Sequence, residues 1–366
     1  MASPRPAPQD MRIIVSGFFN EALGIGRAAQ LTAEALIHHG FDVIREDLRP
    51  FDRGLLTRPH AQFVEHAPTW LIVGNPPEAQ IALYTHDPAQ WREMYRIGLW
   101  HWESDEAPAS WAKMTRWFHE VWFSSTFSAE AMAKALRRAG LSSELGKLRV
   151  HPLPVPSPGP RPARNAEQPV RALAMFDPRS DFDRKNPQGA IDAWLTAFPT
   201  AGPGRLIIKS LAQAAHHPRF LALKAQVDHR PDIELRAETL TRYDTQALIA
   251  SCDILISLHR GEGFGLPLAE AMALGLTVIA TGWSGNMQFM NEQNSWPVPF
   301  RLVAANTQYN GPQARWAEPD IEAAARCLRK AIEEEAVRAH LGRQARSDIT
   351  RLFEIWTRDN LFAQAL

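Results

Sequence analysis

With 366 residues the chain is long enough for two domains of ordinary size, each able to bury its own core. Forty Lys and Arg balance forty Asp and Glu, which argues against nucleic acid as the main partner but leaves room for a local basic face at a membrane surface. The two cysteines, Cys252 and Cys327, belong to no metal-like cluster, and no uninterrupted apolar run reaches the roughly 18 residues of a membrane helix.

Two cysteines outside any metal-like cluster make a reducing compartment the expected home, and residues 1–10, MASPRPAPQD, lack the apolar core of a signal peptide and read as a flexible lead. RIIVSG (Arg12 to Gly17) reads as a buried strand. A loop and a helix with Ala28, Leu31 and Ala35 on one face follow, and FDVI (Phe41 to Ile44) is the next strand. The segment from Gly24 through Gly26 and Arg27 to Ala29 imitates the dinucleotide fingerprint, with Asp47 as the ribose acid. Its glycine should turn the chain directly off the strand, yet Gly17 to Leu23 intervene, so a nicotinamide-dependent dehydrogenase is a poor fit. A helix start that needs flexible residues would look the same.

Strand candidates at TWLIVG and EVWFSS alternate with helical stretches such as SAEAMAKALRRAG, the pattern of a parallel sheet with helices on both faces. Between them, Ile97, Leu99 and the tryptophans of Trp100-His101-Trp102-Glu103 suggest the end of a buried strand. His101 and Glu103 would then stand on a loop at the cleft of this domain. A histidine between two tryptophans equally suits a packed core position, and Trp100 and Trp102 suit either core or sugar stacking.

HPLPVPSPGPRPARNAEQP (His151 to Pro169) has seven prolines in nineteen residues and reads as a semi-stiff linker. It separates a domain over 11–150 from one over 170–345, where VRALAMFD, RLIIKS, DIELRA, CDILISL and LTVIAT form a second βα series. Residues 346–366 read as a C-terminal helix crossing back to the first domain. The expected architecture is α/β, with two Rossmann-like doubly wound domains facing across a cleft and ligands bound at the carboxyl ends of the strands.

Arg184 and Lys185 follow the strand ALAMFD in a loop, before a helix starting around Pro187, and suit a diphosphate leaving group whose developing charge must be neutralised. Ser180 and Arg179 precede them in the same loop. A solvated surface pair is the plainer reading of adjacent cations. Asp181-Phe182-Asp183 spells D-x-D but reads as chance rather than a metal site, and the pairs His38-His39 and His216-His217, lacking a partner at metal spacing, read as exposed helix or loop positions. In EGFGLPLAE (Glu262 to Glu270), a glycine turn off the strand CDILISLHR feeds a helix, offering an anion backbone N–H groups and a helix N-terminus. Two glutamates at such a place also serve as caps or dipole partners.

SLHRGEGFGLPLAEAMALGLTVIATGWSGN (Ser257 to Asn286) resembles the nucleotide-sugar-binding half of retaining glycosyltransferases of family 4, which have the GT-B fold. RIGLWHWESDEAPASW resembles that family's Trp-x-Trp-Glu block, DRKNPQGAIDAWLTAF its Arg-Lys-Asn-Pro phosphate loop, and GFFNEALGIGRAAQLTAEAL its first glycine loop. The resemblance runs from about Met11 to Trp316. It implies a retaining hexosyltransferase needing no cofactor and no metal. Glu262 would steady the oxocarbenium-like centre, Gly263, Phe264 and Gly265 would lie near the diphosphate, and Glu270 would grip the ribose. Arg184, Lys185 and Ser180 would hold the diphosphate, with Gly24, Gly26 and Arg27 at the donor phosphates or the acceptor. His101 and Glu103 are catalytic candidates, although the position of His101 varies in the Trp-x-Trp-Glu subgroup. The implied partners are a nucleotide-sugar donor, with a lean towards GDP-mannose, and a glycan or lipid-linked glycan acceptor met at the inner membrane surface. A nucleotide-sugar-binding partner of an active transferase, without turnover of its own, is the alternative.

Overall fold

The computed structural model describes residues 11–20, 24–49, 62–63, 65–159, 161, 167–305 and 313–362. The expected flexible lead and residues 160 and 162–166 of the proline-rich segment lie outside them. The chain divides into two compact units, one of residues 1–156, 306–314 and 351–366, the other of residues 157–305 and 315–350.

The first unit is built on a six-stranded parallel sheet in the order β2-β1-β3-β4-β5-β6. Its strands are β1 (Arg12–Gly17), β2 (Asp42–Asp47), β3 (Thr69–Val73), β4 (Tyr95–Trp100), β5 (Glu120–Phe123) and β6 (Leu148–Val150). Ile13, Ile14, Val15, Trp70, Leu71, Ile72 and Val73 are all buried, the near-continuous apolar run expected of strands covered on both faces. The terminal segment packs onto this unit through aromatic rings. The Trp356 indole donates to the Pro152 carbonyl at 2.7 Å and meets Trp122 edge-on at 6.1 Å. His39 is not a free surface histidine as expected: its ring packs against Phe353 at 5.4 Å, and its Nε2 lies 3.1 Å from the Phe353 carbonyl.

The second unit repeats the plan with the order β12-β11-β10-β7-β8-β9, again wholly parallel. Its strands are β7 (Val170–Met175), β8 (Gly204–Ser210), β9 (Ile233–Ala237), β10 (Ile254–Ser257), β11 (Thr277–Thr281) and β12 (Trp296–Val298). The hairpin of β13 (Phe300–Ala304) and β14 (Arg315–Pro319) is antiparallel, an addition the βα pattern did not announce. Winding runs from β7 outward through β8 and β9, then returns to β10 on the other side. The strand order therefore reverses between β7 and β10, the kind of position at which open α/β sheets bind ligands beyond the carboxyl ends of their strands.

Candidate functional site at the strand reversal of the second unit

Three non-glycine residues among those described have a positive φ: Asp181 at 74°, Asn186 at 47° and Ser284 at 78°. All three lie in loops at the carboxyl ends of β7 and β11, the strands that flank β10. Such backbone costs on the order of 1–3 kcal/mol per residue and persists where its surroundings over-determine it. Here side-chain bonds do so. The Asp181 carboxylate accepts from the backbone N–H groups of Asp183 (3.0 Å) and Arg184 (3.1 Å), folding Phe182–Lys185 into a short helical turn rather than the open loop expected. Asn186 caps the helix Pro187–Ala197 by accepting from Gly189 N–H at 3.2 Å and donates to the Leu258 carbonyl at 2.7 Å, tying the β7 loop to the end of β10.

This brings together residues 77 positions apart in sequence. The Lys185 ammonium lies 2.5 Å from Glu262 Oε1 and an Arg184 guanidinium nitrogen lies 3.6 Å from Oε2. Arg184 is buried, and its guanidinium also donates to the carbonyls of Gly261 (2.7 Å) and Ser180 (2.8 Å), so it braces the two loops as well as balancing charge. Ser180 turns its hydroxyl to the Asp177 carbonyl at 2.9 Å, while Arg179 folds back on the Asp177 carboxylate at 2.9 Å. Asp183 is bridged to Arg219 at 2.6 Å, and no group of three His, Cys, Asp or Glu suited to a metal occurs among the described residues. His217 is likewise more than an exposed loop residue, its ring stacked on Phe182 at 5.2 Å.

Glu262 itself is 7% exposed. Burial by itself would raise its carboxyl, but Lys185 and then Arg184 outweigh that and hold it down at about 2, fully ionised at neutral pH. Its backbone is gripped on both sides. Ser284 Oγ accepts from the Glu262 N–H at 2.9 Å, and Gly285 N–H donates to the Glu262 carbonyl at 2.8 Å. The approach is so close that a Cβ on Gly285 would fall 2.0 Å from the Gly263 carbonyl oxygen, so only glycine fits.

Beyond Glu262, Phe264 buries its ring against Phe289 at 4.9 Å, and Gly265, at φ 92°, opens the helix Leu266–Ala273 with Pro267 in its first turn. Glu270 stands inside that helix, half-buried. Sequence reasoning passed over Ser284, whose role depends on a backbone angle, and His259. The His259 imidazole is wholly buried beside the Asn286 side chain, and burial pulls it down to about 4. It is thus a neutral ring within electrostatic reach of Glu262, Lys185 and Arg184.

The remaining candidates lie in the first unit. His101 follows β4, its N–H donating to Asn75 Oδ1 at 2.7 Å; its Nε2 is buried without a partner among the described residues, and burial lowers the ring to about 4. Glu103 is half-buried in the same loop. Trp100 is core, set edge-on to Trp111, Phe118 and Phe123, and Trp102 donates to the Glu106 carbonyl at 2.6 Å. Gly24, Gly26 and Arg27 form the first turn of the helix Gly24–His38, with Arg27 4.0 Å from Glu34.

Comparison with known proteins bears on the domain and the fold. Residues 205–308, a stretch holding Glu262, Glu270 and Ser284, match a family model described as glycosyl transferases group 1. No curated protein matches the sequence. Among solved structures, Anabaena Alr3699/HepE, determined with UDP and glucose, aligns at 13% identity and TM-score 0.66 over 97% of this chain and 98% of that one. A glycosyltransferase from Rickettsia africae ESF-5 aligns at 14% identity and TM-score 0.66 over 98% of this chain and 100% of that one. The fold is GT-B. S. aureus TarM, solved with Fondaparinux, alpha-GlcNAc-glycerol and UDP, aligns at 10% identity and TM-score 0.57 over 79% of this chain, which spans only 54% of that one. Matched domain and fold together indicate a glycosyltransferase.

Proposed function

We propose that the chain is a retaining glycosyltransferase of family 4 type, moving a hexose from a nucleoside diphosphate sugar to a hydroxyl of a glycan or lipid-linked glycan. The observation that carries this reading is the ionised, nearly buried Glu262 held between Lys185 and Arg184 at the strand reversal. A carboxylate kept charged in a low-dielectric site stabilises positive charge developing at an anomeric carbon, and the adjacent ammonium stabilises the negative charge developing on a departing diphosphate. Lys185 is bonded to Glu262. An arriving diphosphate recruits the ammonium and frees a Glu262 oxygen for the sugar hydroxyls. Glu270 grips the ribose. The helix N-terminus at Leu266 adds partial positive charge, so side chains and backbone neutralise the diphosphate without a metal.

The UDP-bearing neighbours support a nucleotide-sugar donor, and the Trp-x-Trp-Glu and Arg-Lys-Asn-Pro blocks favour mannose from GDP-mannose. A lipid-linked acceptor would be met at the inner membrane face; no helix among the described residues is long and apolar enough to cross a membrane. The test is a panel of GDP-, UDP- and dTDP-sugars assayed for donor hydrolysis and transfer, with and without saturating EDTA. Turnover should survive EDTA with the anomeric configuration kept. Activity restored only by Mn²⁺ or Mg²⁺ would overturn metal independence, and donor binding without turnover would leave a non-catalytic partner instead.

A further inference from the structure

The turn Phe182–Lys185 carries the Lys185 ammonium yet is only four residues long, too short to hold its shape alone. One residue of the Glu262 loop secures its end. The Arg260 N–H donates to the Arg184 carbonyl at 2.7 Å, and Arg260 Nη1 donates to the Asp183 carbonyl at 2.6 Å. The other two guanidinium nitrogens, Nε and Nη2, donate to the two oxygens of Glu318 at 2.7 and 3.0 Å, a bidentate pairing that fixes the plane of the fork. Glu318 lies on β14, and the Arg260 carbonyl accepts from the adjacent Ala317 N–H at 3.0 Å. The β13–β14 hairpin, which lies outside both sheets, is thus bonded through Arg260 to the turn that bears Lys185.

The bonds between the two loops run both ways. From the turn, Arg184 reaches the Gly261 carbonyl and Asn186 the Leu258 carbonyl; from the other loop, Arg260 reaches back to Asp183 and Arg184. All of these hold main chain. The bond of Lys185 to Glu262 differs, because in the transfer proposed above the ammonium leaves the carboxylate for the diphosphate. From then on the spacing of the two groups rests on the main-chain bonds, and Arg260, close before Glu262 in the same loop, supplies bonds to two successive carbonyls. The Arg260–Glu318 pair is partly exposed, and pairs of that kind add little to global stability, so its use is local.

We propose that Arg260, aimed by Glu318, is a positioning residue for the transfer. It keeps the Lys185 turn in place against Glu262 while Lys185 is drawn to the leaving group, and the β13–β14 hairpin is the buttress that holds Arg260 to that task. Neither Arg260 nor Glu318 touches the reacting atoms in this scheme. Loss of the clamp therefore slows transfer without unfolding the protein, because a shift of about 1 Å between catalytic groups is enough to cost on the order of a hundredfold in rate.

This inference rests on the donor site proposed above, and a double-mutant cycle separates the two. The readout is kcat and KM for donor hydrolysis by the full-length protein, with the sugar nucleotide of the GDP-, UDP- and dTDP-sugar panel that it turns over, beside thermal unfolding. Glu318→Gln should lower kcat by about tenfold or more, with donor KM and the unfolding midpoint close to wild type. Arg260→Lys keeps the charge but cannot serve Glu318 and the Asp183 carbonyl together, and should show the same split. In a Lys185→Ala background nothing remains to be positioned, so Glu318→Gln should lower kcat no further. Normal kcat in Glu318→Gln, a loss of kcat matched by a fall in the unfolding midpoint, or equal losses with and without Lys185 would overturn the positioning role and leave the donor site standing. Lys185→Ala as fast as wild type, or no turnover of any donor in the panel, would overturn both.

Discussion

At the scale of single residues the chemistry concentrates on Glu262, whose charge is maintained by neighbours rather than by water. Glu262→Gln removes the carboxylate proposed to stabilise an oxocarbenium-like centre, so kcat should collapse while the fold survives; Glu270→Gln, with its proposed contact to the ribose, should chiefly raise donor KM. Steady-state kinetics beside thermal unfolding checks this split, and equal loss of kcat in both variants would reduce the pair to helix-capping residues. Lys185→Ala takes away the cation nearest the leaving group and should lower turnover by about a hundredfold or more, with weaker nucleotide binding. Near-normal turnover would return Lys185 to ordinary surface. Arg184 acts differently, because its bonds to Gly261 and Ser180 make it a brace; Arg184→Lys keeps the charge but loses the fork that reaches both carbonyls and should lower the unfolding midpoint as well as activity.

At the scale of elements, the site exists because three loops leave neighbouring strand ends, the first shaped from within by Asp181 and the three locked to one another by Arg184, Asn186 and Ser284. Gly285→Ala tests the tightest of these locks. The added methyl has no room beside Gly263, so the Glu262 loop must shift, and a displacement near 1 Å is enough to cost about a hundredfold in turnover. Normal kcat in that variant would show that the loop tolerates movement. Most strands and the helix after Gly265 were legible in the sequence, because buried parallel strands are written as short β-rich apolar runs and Leu266-Pro267 marks a helix start. The β13–β14 hairpin was not, since exposed Phe300 and Leu302 are interleaved with polar residues on a strand pair outside both sheets.

At the scale of the whole molecule, three histidines with lowered proton affinity and two buried carboxylates, Glu262 and Asp232, shape the response to acid. Burial lowers His101, His119 and His259 from 6.5 to about 4. Between those values the unfolded chain binds protons that the folded chain refuses, so their contribution to stability is complete above pH 6.5 and is lost as pH falls through about 4. Glu262, depressed from 4.5 to about 2, adds stability above pH 4.5 that is lost as pH falls through its folded value. The unfolding midpoint should therefore drop from pH 7 to pH 4, and His259→Gln should flatten part of that slope. A variant slope matching the wild type would mean that His259 titrates normally.

The sequence by itself determined the two βα series, the glycine turn into the helix of Glu270, and the residue types that gather at the site, because local periodicity and turn chemistry are written in neighbouring residues. The resemblance carried by Glu262 to Glu270 and by Arg184-Lys185 extended that to a class of reaction. Only the tertiary structure decided that Lys185 and Glu262 form a bonded pair, that Trp100 is core, and that Ser284 secures the Glu262 backbone. Those relations join positions that are distant in sequence, or turn on backbone angles ordinarily left to glycine. They arise only when the strand order reverses between β7 and β10 and brings their carboxyl ends side by side.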